Sequence, residues 1–279
     1  MRHPSSQGCG GRFDGRGDLS VSVRGDGQAL LIGNSRWHWA QHNGERWSVE
    51  HTDPAPERIG DALNVWAAVG PVPAVLERLD DRRIRTRDVP LDHAPPWLGV
   101  DRALGSWQAW RRSQHLEHDC SQGLTVVDAG TVLSITVLDA DGCFRGGQLI
   151  PGYRLQLRAM AEGTAALPST LAWPDQNDPF PQNTVAAMQQ GVVRGLVAAI
   201  QQAQRCAGGV LWLCGGDAQL LAPQLSHASD PVHVSSDLQL EGLIDKTLKP
   251  SFFANLDTTV LPENKSTKVP FSILVNFIA

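Results

Sequence analysis

The chain has 279 residues, 42% of them hydrophobic, and a formal net charge of −5, enough for two compact domains with their own cores. No run approaches the length of apolar sequence that spans a bilayer, and the N-terminus lacks the apolar core of a signal peptide, so a cytoplasmic protein without membrane contact is expected. The arginines of 82–87 and 111–112 are interleaved with acids or stand as a short pair. Without a basic stripe, nucleic acid is not an expected partner.

Residues 1–27 are rich in Gly, Arg, Ser and Asp, and too few apolar groups are present to offset the entropy of ordering them. A disordered leader is expected. The first core strand is Ala29 to Ile32, followed by the turn Gly33-Asn34-Ser35 and a return strand around Trp37 to Ala40. Asn43-Gly44 is a hairpin signal leading to a third strand near Arg46 to Val49. Val65 to Val69 reads as a buried strand, Val72 to Leu79 as a helix and Ile84 to Val89 as a further strand. After a Pro95-Pro96 loop comes Gly99-Val100-Asp101-Arg102, then helical character from Ala103 to Gln114.

The second half repeats this plan. Leu124 to Val127, Ser134 to Leu138 and Phe144 to Ile150 form a meander, with helices from about Tyr153 to Glu162 and Thr184 to Gln204, the latter capped by Asn183. Val210 to Cys214 is a strand running into Gly215-Gly216. Two halves of this kind suggest a duplicated α/β unit with a cleft between them: residues 28–123 and 124–245. All four lysines follow residue 245 and none of the twenty arginines does, which marks 246–279 as a tail of different origin.

The five cysteines form no CxxC pair and read as reduced thiols. His115, His118 and Asp119 have helical spacing that a metal could use, but read as a solvated polar face. Trp37, Trp39 and Trp212 read as packing residues. The most informative stretch is Thr125 to Pro168. An Asp and a Gly-Thr at a strand tip can aim backbone N–H groups and a hydroxyl at a phosphate while the Asp organises a cation. That chemistry is a nucleotide-dependent phosphotransferase without the usual P-loop. Taken singly, Asp101-Arg102 is also compatible with a helix-capping ion pair, and Asp128-x-Gly130 with ordinary turn chemistry.

Four blocks in order resemble the type III pantothenate kinases of the acetate and sugar kinase, Hsc70 and actin superfamily. They are Gly33-Asn34-Ser35; Gly99-x-Asp101-Arg102; Asp128-x-Gly130-Thr131 through Gly146-Gly147 and Pro151-Gly152 to Leu167-Pro168; and Asn183-Thr184 with Gly191. Asp237 to Leu243 resembles the family's terminal strand and helix. The resemblance covers about residues 29–243 and implies two duplicated RNase H-like, actin-like ATPase domains with the active site in the cleft between them.

It also implies transfer of the ATP γ-phosphate to pantothenate, the first step of coenzyme A synthesis, in a homodimer whose substrate pocket the neighbouring subunit partly closes. By the same resemblance Asp101 is the catalytic carboxylate, while Gly99, Val100, Asp101, Arg102 and Thr184 bind pantothenate. Gly33, Asn34, Ser35, Gly130 and Thr131 bind ATP with magnesium. Asp128 holds potassium or ammonium, and Gly215-Gly216 lies near the nucleoside. Three positions depart from the family pattern: Leu31 stands where an Asp usually positions magnesium, His38 where a Lys is frequent, and Asp92 where an aromatic is frequent. Leu31 keeps open an alternative, a catalytically weakened regulatory homologue that binds pantothenate or nucleotide. Helix-face residues Val193 and Leu196 are the expected dimer contacts.

Overall fold

The computed structural model describes residues 27–43, 46–174, 178–225 and 232–245, with the backbone of 259–260. Four strands come first: β1 (Gln28–Ile32), β2 (Trp37–His42), β3 (Trp47–Thr52) and β4 (Leu63–Ala68). Helix α1 (Val100–His115) leads to a second meander, β5 (Leu124–Ala129), β6 (Val132–Leu138) and β7 (Phe144–Pro151). Then follow α2 (Tyr153–Gly163), α3 (Thr184–Ala207), β8 (Val210–Cys214), α4 (Ala218–Leu225), β9 (Val232–Val234), α5 (Leu238–Asp245) and β10 (Thr259–Val260).

The strands build two sheets, ordered β3-β2-β1-β4 and β10-β9-β8-β5-β6-β7. Each contains an antiparallel meander whose first strand pairs in parallel with a later one, β1 with β4 and β5 with β8. The topology of the first sheet therefore recurs within the second, in a mixed α/β fold.

Alternation along the strands sorts side chains into layers. Ala29 and Leu31 of β1 and Leu124 and Val126 of β5 join one core with Ala103 and Leu104 of α1 and Leu240 and Leu243 of α5. The opposite faces build separate cores. Leu30, Ile32, Trp37 and Trp39 pack with Leu76 and Leu79, while Val127, Ala129 and Ile135 pack under α2, α3 and α4. Two helices thus lie between the sheets and three cover the outer face of the second. Trp37, Trp39 and Trp212 are all buried, as packing residues should be.

The boundaries of β1, β2, β5 to β8 and the long helices follow the sequence pattern. Asn183 caps α3 as expected, its Oδ1 accepting the Ala186 N–H at 2.9 Å. Elsewhere tertiary contacts override the pattern. The helix expected over 72–79 is a 3₁₀ run over Ala74–Arg82, broken at Leu79. The Leu79 carbonyl is taken by the Trp66 indole N–H at 2.7 Å. The expected strand Ile84 to Val89 is reduced to one bridge between Trp66 and Arg83 and a 3₁₀ turn over Thr86–Asp88. There the Asp88 carboxylate accepts the Arg85 N–H at 2.8 Å, a local bond that competes with strand pairing.

At the chain's end, Asp237 to Leu243 is helix entered from a turn, and the strand is the preceding β9. Cys120, Cys143, Cys206 and Cys214 carry thiols that are not joined in disulfides. The leader 1–26, Cys9, Gly44 of the expected hairpin and nearly all of the tail lie outside the described residues.

Trp66 is 1% exposed and Arg83 stacks on its indole at 4.8 Å. Trp66→Phe removes the indole bond to the Leu79 carbonyl, so chemical denaturation should show a loss of about 0.5–1.5 kcal/mol. An unchanged denaturation midpoint would contradict this account of the 74–82 segment.

Candidate active site

Leu31-Ile32-Gly33 and Asp128-Ala129-Gly130 occupy matching places, at the ends of β1 and β5. Each turn is met by a glycine from the end of its parallel neighbour. A Cβ on Gly70 would strike the Gly33 carbonyl, and one on Gly215, where φ is +86°, would strike the Asp128 carboxylate. Only glycine tolerates both that backbone and that approach. The two turns touch each other through the Ser35 and Thr131 hydroxyls, 2.9 Å apart. Residues from the two expected phosphate turns therefore meet, although 96 positions separate them in sequence.

The opening of α1 reaches the same place. Gly99 is the N-cap residue, and the Asp101 carboxylate folds back so closely that a Cβ on Gly99 would clash with it. Asp101 Oδ1 accepts the Arg102 backbone N–H at 2.7 Å. The Arg102 guanidinium crosses to β6 and donates to Thr136 Oγ1 at 3.2 and 3.1 Å. It lies against Gly147, where a Cβ would come within 2.8 Å of the guanidinium. This contact gives Gly147 a structural reason, while Gly146 is set by its backbone, with φ at +133°.

The electrostatics are those of a crowded acidic site. Burial, and then the Asp101 charge, push Asp128 up to about 7, while a hydrogen bond from Gln239 and the Arg102 charge pull the other way. Burial also raises Asp101, against the bonds and charge of Arg102. Arg102 is lowered by its own burial and supported by Asp101 and Asp128. The buried Cys214 thiol is raised first by burial and then by Asp128, Glu241, Asp101 and Asp237.

Beside Gly99 and Val100 lies a cavity of about 300 Å³ whose other walls include Val69, Arg83, Arg85, Thr86 and Leu98. Thr184 stands apart. It is exposed at the first turn of α3 and makes no hydrogen bond to Asp101 or Arg102. Among the described residues no group of three His, Cys, Asp or Glu side chains is arranged to hold a metal. The His115–Asp119 segment is no exception. His118 stacks on His233 with ring centroids 4.1 Å apart, and Asp119 accepts the Ser121 N–H.

Sequence reasoning missed Thr136 and Gln239. The signal for Thr136 was available, because Ser134 and Thr136 are polar at alternate positions of an otherwise apolar strand. It missed Asp237 and His51 as well, which are joined at 3.2 Å, since nothing local links β3 to the turn before α5.

Two like turns facing each other beside a carboxylate and a guanidinium define a site suited to phosphoryl transfer onto a small acceptor. The type III pantothenate kinase family profile matches residues 75–205. A type III pantothenate kinase of Synechococcus elongatus is 33% identical over 245 residues, covering 77% of this chain and 93% of that protein. One of Thermosynechococcus vestitus is 34% identical over 203 residues, covering 68% and 76%. The chain belongs to the type III pantothenate kinases. A crystal structure of a protein described as a conserved Baf family transcriptional activator, from Campylobacter jejuni, aligns with a TM-score of 0.53 at 22% identity, over 78% of this chain and 96% of that one. The two share a fold.

Asp128 takes up its proton more readily in the folded chain than in the unfolded one. Its effect on stability is therefore most favourable below the unfolded carboxylate range and is lost as pH rises towards about 7. Asp128→Asn should accordingly raise the thermal midpoint of the ligand-free protein at about pH 8, by the equivalent of about 1–3 kcal/mol, and change it little near pH 4. Equal midpoint shifts at both pH values would contradict the electrostatic assignment.

Proposed function

We infer that the acid–guanidinium cluster and the two facing turns are the working parts of this enzyme's reaction. The chain is a pantothenate kinase, a phosphotransferase that moves the ATP γ-phosphate to pantothenate and gives 4′-phosphopantothenate. It uses ATP with a divalent metal. The observation that carries the assignment of roles is the Ser35–Thr131 contact beside Asp101, Arg102 and Asp128, which brings three separate sequence blocks to one place.

In this reading two duplicated actin-like halves, 28–123 and 124–245, face each other across a cleft. Gly33, Asn34 and Ser35 from one turn and Gly130 and Thr131 from the other donate to the ATP phosphates. Asp101 orients the acceptor hydroxyl and takes its proton; a carboxylate whose proton affinity burial has raised is a better base than one in water. Arg102 grips the pantothenate carboxylate with its planar fork. Gly99 and Val100 shape the adjoining cavity, whose volume suits a small hydroxy acid. Helix-terminal Thr184 supplies a further hydroxyl to pantothenate, held in the pocket of a neighbouring subunit.

Two cations bear on this site. The Asp128 region fits a monovalent cation, potassium or ammonium. Its donors are oxygen, and two carboxylates face one guanidinium in partly desolvated surroundings. Such a cation would neutralise the excess charge next to the incoming phosphates. The matching place in the first half fits no cation, because Leu31 is buried in the inter-sheet core. Divalent metal therefore has no carboxylate there, and its positioning falls to ATP oxygens and water. Leu31 is the one feature favouring a weakened homologue, whereas Asp101, Arg102 and Asp128 are all in place.

Exposure of Thr184 suits a homodimer in which its hydroxyl serves a neighbouring subunit's pocket. The dimer surface is not the one expected from sequence. Val193 and Leu196 are 2% and 1% exposed and belong to the chain's own core, whereas Leu149, Leu171, Phe180 and Val185 are exposed. No helix among the described residues is long and apolar enough to cross a membrane; a cytoplasmic location remains part of the proposal.

Coupled assay of purified protein should show ATP consumption that requires pantothenate and rises with potassium. Asp101→Asn should lower kcat by about 10²–10⁴-fold, and Arg102→Lys should raise the pantothenate KM about tenfold with a smaller change in kcat. Absence of pantothenate-dependent turnover alongside retained ligand binding would establish the weakened-homologue alternative. Light scattering decides the dimer.

A further inference from the structure

A chain of three titratable side chains leads from α5 to the first phosphate turn. Asp237 Oδ1 lies 3.2 Å from His51 Nε2. His51 Nδ1 in turn lies 2.8 Å from His38 Nδ1. The remaining nitrogen of His38, Nε2, faces the Gly33 turn, 3.4 Å from the point a Cβ on Gly33 would occupy. The two imidazoles come from directly paired residues of β2 and β3, and His38 is paired with Leu31 on its other side. With Leu31 apolar, His38 is the titratable residue that the paired positions of β1 and β2 present to this turn.

Counting protons shows what the chain can do. With Asp237 ionised and both rings neutral, His51 donates from Nε2 to Asp237 and His38 donates from Nδ1 to His51. His38 Nε2 is then bare and can only accept. Add one proton anywhere in the chain and the outcome is the same. Placed on His38, it sits on Nε2. Placed on His51, it makes Nδ1 a donor to His38 and moves the His38 hydrogen to Nε2. Placed on Asp237, it makes the carboxyl donate to His51, with the same shift through both rings.

We propose that Asp237, His51 and His38 form a proton relay that turns His38 Nε2 into a hydrogen-bond donor to the phosphates of ATP bound at the Gly33–Ser35 turn. His38 is the group that touches nucleotide; His51 and Asp237 are positioning residues. The proposal rests on the assignment of that turn to ATP phosphate.

The surroundings set when the relay loads. His38 is held down at about 4, by burial first and then by the His51 and Arg36 charges. His38 by itself therefore does not hold a second proton at neutral pH in the ligand-free protein. Asp237 is raised by burial and by Glu241 and lowered by His51, and Glu241 is itself paired with Arg112 at 2.7 Å and bonded by Ser235. A polyphosphate beside Nε2 adds the negative charge that draws a proton in, so nucleotide binding and proton uptake are linked. His51, with a side chain 40% exposed, is open to solvent for that proton.

The test is calorimetric titration of ATP with magnesium in excess, in buffers of different ionisation enthalpy, over about pH 6 to 8.5. The wild-type protein should take up close to one more proton per ATP than His38→Gln, whose amide is a fixed donor, and its ATP affinity should weaken about tenfold across the range. His38→Gln should be nearly flat with pH. Asp237→Asn, which keeps an acceptor for His51 but loses the anion, should shift the wild-type transition to lower pH by about one unit. Thermal midpoints and pantothenate affinity report whether each variant is folded.

If His38→Gln and Asp237→Asn match wild type in proton uptake and pH dependence while Ser35→Ala weakens ATP binding, the relay is wrong and the turn assignment stands. If Ser35→Ala also binds ATP normally, the turn assignment falls and the relay falls with it.

Discussion

Arg102 carries one positive charge into a space shared with two carboxylates, and its guanidinium fits only because β7 presents a glycine there. The planar group is held by Thr136, lies on Gly147 and interacts electrostatically with Asp101 and Asp128. Burial destabilises every charge in such a place, and a buried charge is tolerated only with good partners. Much of the surrounding architecture follows from that requirement. The first turn of α1 must dock on the β6–β7 hairpin, α5 must supply Gln239 to Asp128, and the ends of β5 and β8 must approach closely enough to exclude any side chain at Gly215.

The two sheets solve the same topological problem with different charge. Both end their first strand in a Gly turn braced by a glycine from the parallel neighbour, and the turns touch through two hydroxyls. In the second half the inward position before the glycine is Asp128. In the first it is Leu31, packed among Ala29, Val65 and Ala67. An Asp at that point would be one more carboxylate in a site already short of positive charge. The leucine removes that repulsion and leaves polar side chains to the turn itself and to His38, its partner on the neighbouring strand. In the proposed reading the same asymmetry separates the cations, with the monovalent ion on the acidic side and divalent metal positioned by the nucleotide.

Legibility differed from residue to residue for identifiable reasons. Asp101-Arg102 and Asp128-x-Gly130-Thr131 were readable because each is a short local pattern, and the structure brings them together. Val193 and Leu196 were readable as one apolar face of α3, but an apolar periodicity does not say what covers it. Here it is the chain's own β-sheet and α2 rather than another subunit. The segment from Ile84 to Val89 has strand-like composition, yet Asp88 captures the Arg85 amide and the strand never pairs beyond Arg83. The Asp237–His51–His38 chain was invisible for a different reason: its members are unremarkable singly and acquire meaning only through distances of 3.2 and 2.8 Å across the fold.

The sequence alone determined the strand and helix periods, the glycine turns and the family's four blocks, because these depend on neighbours a few residues apart. It also determined that Leu31 cannot ligate a metal. Tertiary structure decided which turns face one another, how far burial raises Asp128 and Asp101, which face of α3 is covered, and which histidines share a proton. Those properties depend on desolvation and on distances between residues far apart in the chain, and neither exists until the sheets and the helices between them have packed.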